Sequence, residues 1–503
     1  MSEYLNDVCL LMEGTYPFVH GGVSSWIHNL IKALPQIRFT GVCILPESDK
    51  KWEIKYDLPS NFFDLKVIYL HDYNMENKRK GNQAKRHQQI DLLRSFHKNL
   101  HENEYSFFEK ILPIFQFEQE KGLSINDMIS GKEAWNLLLE LYNPEVNKES
   151  FIDFFWTFRF THLPLFNILK AKIPKAKVYH TISTGYAGLL GSVAKYRYKK
   201  PLLLTEHGIY TKERKIEISH SDWIYDPSDK RVKINGEIGT FHKMWTNLFH
   251  TLGKITYSSA DRIVTLYEGN RQIEIAEGAD PEKTFVIPNG IDINKFGKIK
   301  QNPHRGKEDK KHLYVGFVGR IVSIKDVKTF IRACKIVSLH LPKAFFFLIG
   351  PTEEDPAYYQ ECLELVELLD LQNLVEFTGK VDVMDYYSKL DVLVLTSVSE
   401  AQPLVILEAG CAGIPSVASD VGACRELLEG YNKDDKAIGH SGIVTQVADP
   451  EDTAKAIITI LSDPELLQKY STAAKKRVNT FYKESDLNQR YLTIYNKFIK
   501  TKH

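Results

Sequence analysis

The sequence predicts an α/β protein built from two doubly wound, Rossmann-like domains with a cleft between them and a helical insertion in the first. Three observations lead there. Short β-branched runs alternate with amphipathic segments almost from end to end. Most of these runs are continuously apolar, the pattern of parallel strands covered on both faces. One polar, basic stretch interrupts the alternation, after which it restarts. A chain of 503 residues also exceeds a single ordinary core.

The first domain is expected over residues 1–296. Its strands are predicted at Asp7–Glu13, Phe39–Leu45, Leu65–Leu70, Ala176–Thr181, Leu202–His207, Asp261–Leu266 and Thr284–Pro288. Residues from about 73 to 170 break the rhythm, being rich in charge, aromatics and helix formers, and read as a helical insertion. Its basic run, ENKRKGNQAKRHQQ, is either a solvated face or a contact for an anionic membrane surface. Its aromatic run around Phe151–Phe160 is either a helical core stripe or a docking surface. Asn294–Lys311, polar and basic with Gly and Pro, is the best linker.

The second domain is expected over residues 312–484, with strands at Tyr314–Val318, Ala344–Ile349, Val375–Thr378, Val392–Leu395 and Ser416–Ala418. A final segment, 485–503, is expected as a helix returning toward the first domain. Ligands of such sheets bind outside the carboxyl ends of the strands, so residues there carry the search for chemistry.

Bulk properties narrow the classes. Hydrophobic residues make up 43% and charged residues 26%, the balance of a soluble globular enzyme. A formal net charge of +1 offers no bulk attraction to nucleic acid. No apolar run is long enough to span a bilayer. The start, MSEYLNDVCLLMEG, lacks the pattern of a secretory signal. The six cysteines are scattered without a CxxC pair and read as reduced core thiols. The expected location is the cytoplasm, with peripheral attachment at the inner membrane face left open.

Five groups of residues draw attention. Glu13-Gly14 closes the first strand, and Gly21-Gly22 precedes a helix at Ser24–Leu34, where paired glycines and free N–H groups suit close approach of an anion. A plain strand–turn–helix explains the same residues. Gly319-Arg320 closes the first strand of the second domain and Lys325 follows. Two cations there suit a diphosphate, against the alternative of ordinary surface charges. In SEAQPLVILEAG, residues 399–410, a strand delivers Glu400 on a loop and Pro403-Leu404 open a helix carrying Glu408 in an apolar run. A buried carboxylate needs partners; a ribose diol or a structural partner would serve. Glu206-His207-Gly208 ends one strand and His180 another; a strand-end histidine suits either a sugar hydroxyl or packing. Pro288-Asn289-Gly290-Ile291-Asp292 reads as a tight turn leading to the linker. The sequence holds no DxD pair at a strand end, P-loop, HExxH or GxSxG.

Taken together, Glu400-x7-Glu408, Gly319-Arg320 with Lys325, the Pro288–Asp292 turn and Gly21-Gly22 resemble the retaining glycosyltransferases of family 4, which have the GT-B fold. More narrowly, EGTYPFVHGGVSSWIHNL, the helical insertion, TEHGIY and SEAQPLVILEAG resemble the cytosolic transferases of Pel-type exopolysaccharide systems. The resemblance implies roles. Glu408 would hold the ribose hydroxyls and Glu400 would touch the donor sugar, with Pro403 and Leu404 at the donor. Arg320 and Lys325 would neutralise the diphosphate, helped by backbone N–H groups near Gly22. His207 would sit near the transferred sugar and the acceptor. It implies no metal and no cofactor beyond a UDP-sugar donor, UDP-glucose first. The product would be a growing exopolysaccharide, and a membrane polysaccharide synthase complex is the implied partner. One departure stands out: many members begin the Glu-x7-Glu segment with Glu-Gly-Phe-Gly, whereas this chain has Glu400-Ala401-Gln402-Pro403. That change bears on donor choice. Two rival readings remain, a GT-B nucleotide-sugar epimerase and a non-catalytic scaffold subunit of a synthase complex.

Overall fold

The structure, a computed structural model, describes residues 6–73, 83–101, 108–115, 123, 125–142, 150–219, 240–299 and 312–500. The chain forms two compact units. One comprises Met1–Thr265, Arg271–Phe285 and Tyr491–His503; the other comprises Leu266–Asn270 and Val286–Arg490. The Pro288–Asp292 turn therefore belongs to the second unit. The expected linker lies mostly outside the described residues, as does the first half of the basic run at 76–89.

The first unit is built on a seven-stranded parallel sheet: β1 Asn6–Glu13, β2 Phe39–Leu45, β3 Phe62–Tyr69, β4 Ala176–Thr181, β5 Leu202–Glu206, β6 Arg262–Thr265 and β7 Thr284–Val286. Its strand order is β3-β2-β1-β4-β5-β6-β7. The continuously apolar runs are explained by their burial: Val8 through Met12 and Leu202 through Leu204 carry no exposed surface. Strand β3 begins at Phe62, three residues before the expected start, because Phe62 pairs with Phe39 across a register shift.

The second unit has a six-stranded parallel sheet: β8 Leu313–Val318, β9 Ala344–Ile349, β10 Val375–Gly379, β11 Val392–Leu395, β12 Ser416–Ser419 and β13 Gly442–Thr445. The order is β10-β9-β8-β11-β12-β13. Strand β13 is absent from the sequence-based expectation. Both sheets reverse direction of growth once, between β1 and β4 and between β8 and β11, and those switch points open the crevices where ligands bind in doubly wound sheets.

The insertion is helical where described, with helices Gln83–His101, Phe108–Ile111, Ile125–Ser130, Lys132–Leu141 and Phe151–Lys170. Ser150 caps the last of these by accepting a hydrogen bond from the Asp153 amide at 3.2 Å. Its aromatic run is a core stripe in part only. Phe154 is buried in the core, while Ile152, Trp156 and Phe160, four residues apart in turn, are exposed along the opposite face. All six cysteines are buried free thiols. Among the described residues no helix is long and apolar enough to cross a membrane.

Candidate active site

The β8–β11 switch point gathers the charged residues of the second unit. Beyond β8 the chain passes Gly319-Arg320 and forms a short 3-10 turn, Ser323–Lys325, before the helix Val327–His340. Asp326, with φ of 44°, caps that helix through the Thr329 amide. The loop after β11 is stitched to this turn. Thr396 Oγ1 donates to the carbonyls of Lys325 and Asp326 at 3.2 and 2.9 Å, and the Val398 amide donates to Ile324 at 3.0 Å. Lys325 Nζ is thereby held on Glu400, and Ser397 Oγ donates to the same carboxylate oxygen at 2.7 Å. Both partners of this ion pair are mostly buried, at 19% and 12% exposure, so its Coulomb attraction is poorly screened. Arg320 instead forms an exposed pair with Glu354. A ligand would compete with that pairing, because exposed pairs are worth little.

A neighbouring turn braces the Glu400 loop. Gly422, with φ of +54°, lies so close that a Cβ there would come within 2.2 Å of the Glu400 carbonyl oxygen. Only glycine satisfies both the left-handed backbone and the close approach. The Ala423 amide adds a hydrogen bond to the Ala401 carbonyl at 2.8 Å.

Pro403 is the N-cap of the helix Leu404–Cys411, one position before the first-turn place expected for it. Leu404 opens that helix, partly exposed. Glu408 lies one turn further, where the Tyr387 hydroxyl donates to it at 2.9 Å. Burial raises the Glu408 carboxyl above its ordinary range, while Tyr387 and the positive charge of Lys295 oppose the shift. The structural partner left open by the sequence is thus a tyrosine rather than an arginine.

Gln402, part of the departure from the family pattern, is buried and grips one residue from both sides. Its Oε1 accepts the Asn289 amide at 2.7 Å and its Nε2 donates to the Asn289 carbonyl at 3.3 Å. The Pro288–Asp292 turn is therefore a docked element: Gln402 holds Asn289, and Ile291 pairs with the chain at Tyr482 and Glu484.

In the first unit, Gly21 is the N-cap of the helix Gly22–Ala33, with an extended φ of 168°. A Cβ at Gly21 or Gly22 would meet nothing within 4 Å. Packing inside the unit therefore does not require glycine at either position. His207 follows β5, its ring edge-to-face on Trp26 at 4.6 Å, and burial lowers its pKa to about 4. His180 is a packing residue. Its Nδ1 bonds the Tyr495 hydroxyl at 2.7 Å and its Nε2 bonds Thr205 Oγ1 at 2.8 Å, so no ring nitrogen remains for a sugar.

Two strand-end carboxylates in this unit were given no role by the sequence. Glu13, at the β1 end, accepts the Tyr210 hydroxyl at 2.6 Å. Glu206 is buried and accepts Tyr257 OH at 2.7 Å, the Tyr210 amide at 2.9 Å and Thr184 Oγ1 at 3.1 Å. Strand-end position marks both in the sequence; the tyrosines that complete them come from distant helices. Among the described residues no group of three or more His, Cys, Asp or Glu is placed to hold a metal ion.

Two doubly wound domains, each with a switch-point crevice, place the chain in the GT-B class of folds. The chain belongs to the family defined by the domain of unknown function DUF3492, whose model matches residues 6–282, and residues 298–477 match the glycosyl transferases group 1 domain. Among curated proteins it is 27% identical over 318 residues to a D-inositol 3-phosphate glycosyltransferase of Geodermatophilus obscurus, covering 60% of this chain and 63% of that one. It is 28% identical over 235 residues to the Escherichia coli UDP-Gal:alpha-D-GlcNAc-diphosphoundecaprenol alpha-1,3-galactosyltransferase, covering 44% and 56%. The match thus spans less than two thirds of either relative's length. In fold it is similar to Anabaena HepE in complex with UDP, with a TM-score of 0.58 at 15% identity over 97% of this chain and 99% of that one. Sucrose-phosphate synthase of Thermosynechococcus elongatus gives 0.57 at 15% identity, over 97% and 98%.

Proposed function

We propose that this protein is a retaining glycosyltransferase that moves a sugar from a UDP-sugar, UDP-glucose first, to a growing exopolysaccharide of the Pel type. The observation that carries the reading is the Lys325–Glu400–Ser397 cluster at the β8–β11 switch point, with the Tyr387-bonded Glu408 on the following helix. Glu408 would take the ribose diol, Glu400 the donor sugar, and Lys325 with Arg320 the diphosphate. Pro403 and Leu404 would present the helix N-terminus to the donor. In the first unit, the Gly21-Gly22 backbone and His207 are assigned to the diphosphate and to the sugar and acceptor. With His207 held neutral by burial, it would act by hydrogen bonding rather than by charge.

The reaction would need no metal, since two cations and backbone N–H groups can neutralise the leaving diphosphate. That diphosphate would itself receive the acceptor's proton on the face where transfer occurs, and catalysis would rest on stabilising its developing charge. A relative named as a galactosyltransferase for UDP-Gal and a structural neighbour in complex with UDP favour a uridine nucleotide. We place the reaction in the cytoplasm, at the inner membrane face, with delivery to a polysaccharide synthase complex.

The test is nucleotide release from UDP-, GDP- and ADP-sugars with EDTA present, for the wild type and Glu408→Ala. Release from UDP-glucose alone, lost in the variant, supports the whole reading. Release only after metal is restored removes the metal-free step. Silence across the panel, with no calorimetric binding of any nucleotide, overturns catalysis in favour of a scaffold.

A further inference from the structure

The helical insertion encloses a cavity of about 590 Å³, bounded by the helices Gln83–His101, Phe151–Lys170 and Thr240–Ser259. Its volume is that of a small-molecule site. Its walls are apolar, with Leu93, Phe115, Phe158, Leu165, Leu189 and Leu248 among them. The polar side chains on the wall of the helix Phe151–Lys170 are used within that helix. Thr161 Oγ1 donates to the Thr157 and Phe158 carbonyls at 2.9 and 3.0 Å, and His162 Nδ1 bonds the Phe158 carbonyl at 2.9 Å. The His162 ring stacks on Phe158 at 3.7 Å, and burial keeps it neutral by lowering its pKa to about 3.

Apart from His97 on the helix Gln83–His101, the other polar groups of the lining collect along one edge. Asn247, Thr251 and Lys254, spaced four and three residues apart, lie on one face of the helix Thr240–Ser259, with His250 beside them. Asn247 is exposed and the others are half-buried, so this edge meets solvent. Among the described residues the lining includes Lys254 and the histidines His97, His162 and His250.

Close packing is the rule inside proteins, and an apolar void of this size offers water too few partners. We propose that the cavity is a binding site for the long hydrocarbon chain of an amphiphile. The chain would lie between Phe158 and Leu248, and the head group would sit at the Asn247–Lys254 edge. An acyl chain and an isoprenoid chain share this chemistry. The inference is independent of the transferase reading, because neither the walls nor the edge includes a residue assigned to the donor.

The experiment uses the full chain and cis-parinarate, whose fluorescence rises on leaving water. Saturable binding is expected, displaced by palmitate if the natural chain is acyl and by farnesyl phosphate if it is isoprenoid. Leu248→Trp and Leu165→Trp, which fill the cavity, should each weaken binding by about ten-fold or more without lowering the thermal midpoint. Photo-crosslinking of wild-type protein with diazirine-labelled palmitate gives a readout that needs no variant. Label is expected in peptides from Phe151–Lys170 and Thr240–Ser259. Absence of saturable binding, binding unchanged in both folded variants, or label confined to other segments would each overturn the proposal.

Discussion

Replacing Gln402 with alanine tests whether the departure from the family pattern acts on the fold or on the donor. The side chain makes two hydrogen bonds to one backbone residue, at 2.7 and 3.3 Å, in a buried setting. Each bond contributes about 0.5–1.5 kcal/mol net, and the Asn289 amide would be left buried without its acceptor at a further cost of about 1–3 kcal/mol. Allowing for overlap between these terms, the loss should be about 2–4 kcal/mol. For a unit of roughly 200 residues that lowers its transition by about 4–16 °C. Scanning calorimetry is the assay, with the two units' transitions resolved separately because two-state behaviour cannot be assumed. Gln402→Glu should lose at least as much at neutral pH, since a buried, unpaired carboxylate would face the Asn289 carbonyl to which it cannot donate. The nucleotide-sugar preferred by the variants should be unchanged. A loss below about 0.5 kcal/mol together with a switched sugar preference would refute the reasoning and give Gln402 a direct role at the donor.

Arg320→Ala should lower turnover by about 10²–10³ while leaving the midpoint within the range of surface substitutions, since its pair with Glu354 is exposed; near-normal steady-state rates would remove its role. Gly22→Ala meets nothing within 4 Å and should leave stability unchanged yet weaken nucleotide-sugar binding in calorimetry; unaltered affinity would argue against close approach there. Tyr387→Phe and Glu408→Gln should each weaken nucleotide binding and be non-additive when combined; strict additivity would mean that the hydroxyl does not act through the carboxylate. Burial and the Glu206 charge raise the Glu274 carboxyl, near Glu277 and Arg271, so its protonated form stabilises the fold. That contribution is full below the ordinary glutamate value of 4.5 and fades as pH rises through the raised one, so Glu274→Gln should raise the midpoint at pH 8 and not at pH 5 in pH-dependent melts.

The parallel sheets were legible because burial on both faces writes itself into local composition, as in Val8–Met12. Strand β13 was not. Its four residues carry no distinctive run, and its place depends on Gly442 lying where a Cβ would sit 1.9 Å from the Ser416 carbonyl. The helical nature of the insertion was readable from its composition, but its cavity was not, since a void depends on how three helices pack. The two strand-end histidines show the same limit. His180 and His207 have equivalent sequence positions, and the difference arises from Tyr491 and Tyr495 at the far end of the chain. Tyr495 takes one nitrogen of His180, and Tyr491 bonds the Thr205 that takes the other. Likewise, the sequence marked Glu408 as a carboxylate needing partners but could not supply Tyr387, which comes from a separate helix.

Saturation separates buried charges that hold the fold from those able to hold a ligand. Arg477, 1% exposed, spends its guanidinium entirely on its own unit. It pairs with Asp435 Oδ1 at 2.6 Å and donates to Ser441 Oγ and to the Leu428, Asp435 and Gly439 carbonyls at 2.8, 2.8, 3.2 and 2.7 Å. A guanidinium with five donors so engaged has nothing to offer a substrate. Glu408 is the opposite case. An ionised carboxylate accepts about four hydrogen bonds, and among the described residues Tyr387 is its recorded side-chain donor. The remaining acceptor capacity lies in a largely buried setting, where any new donor is electrostatically strengthened. The two hydroxyls of a diol, both donors, would fit within that remaining capacity.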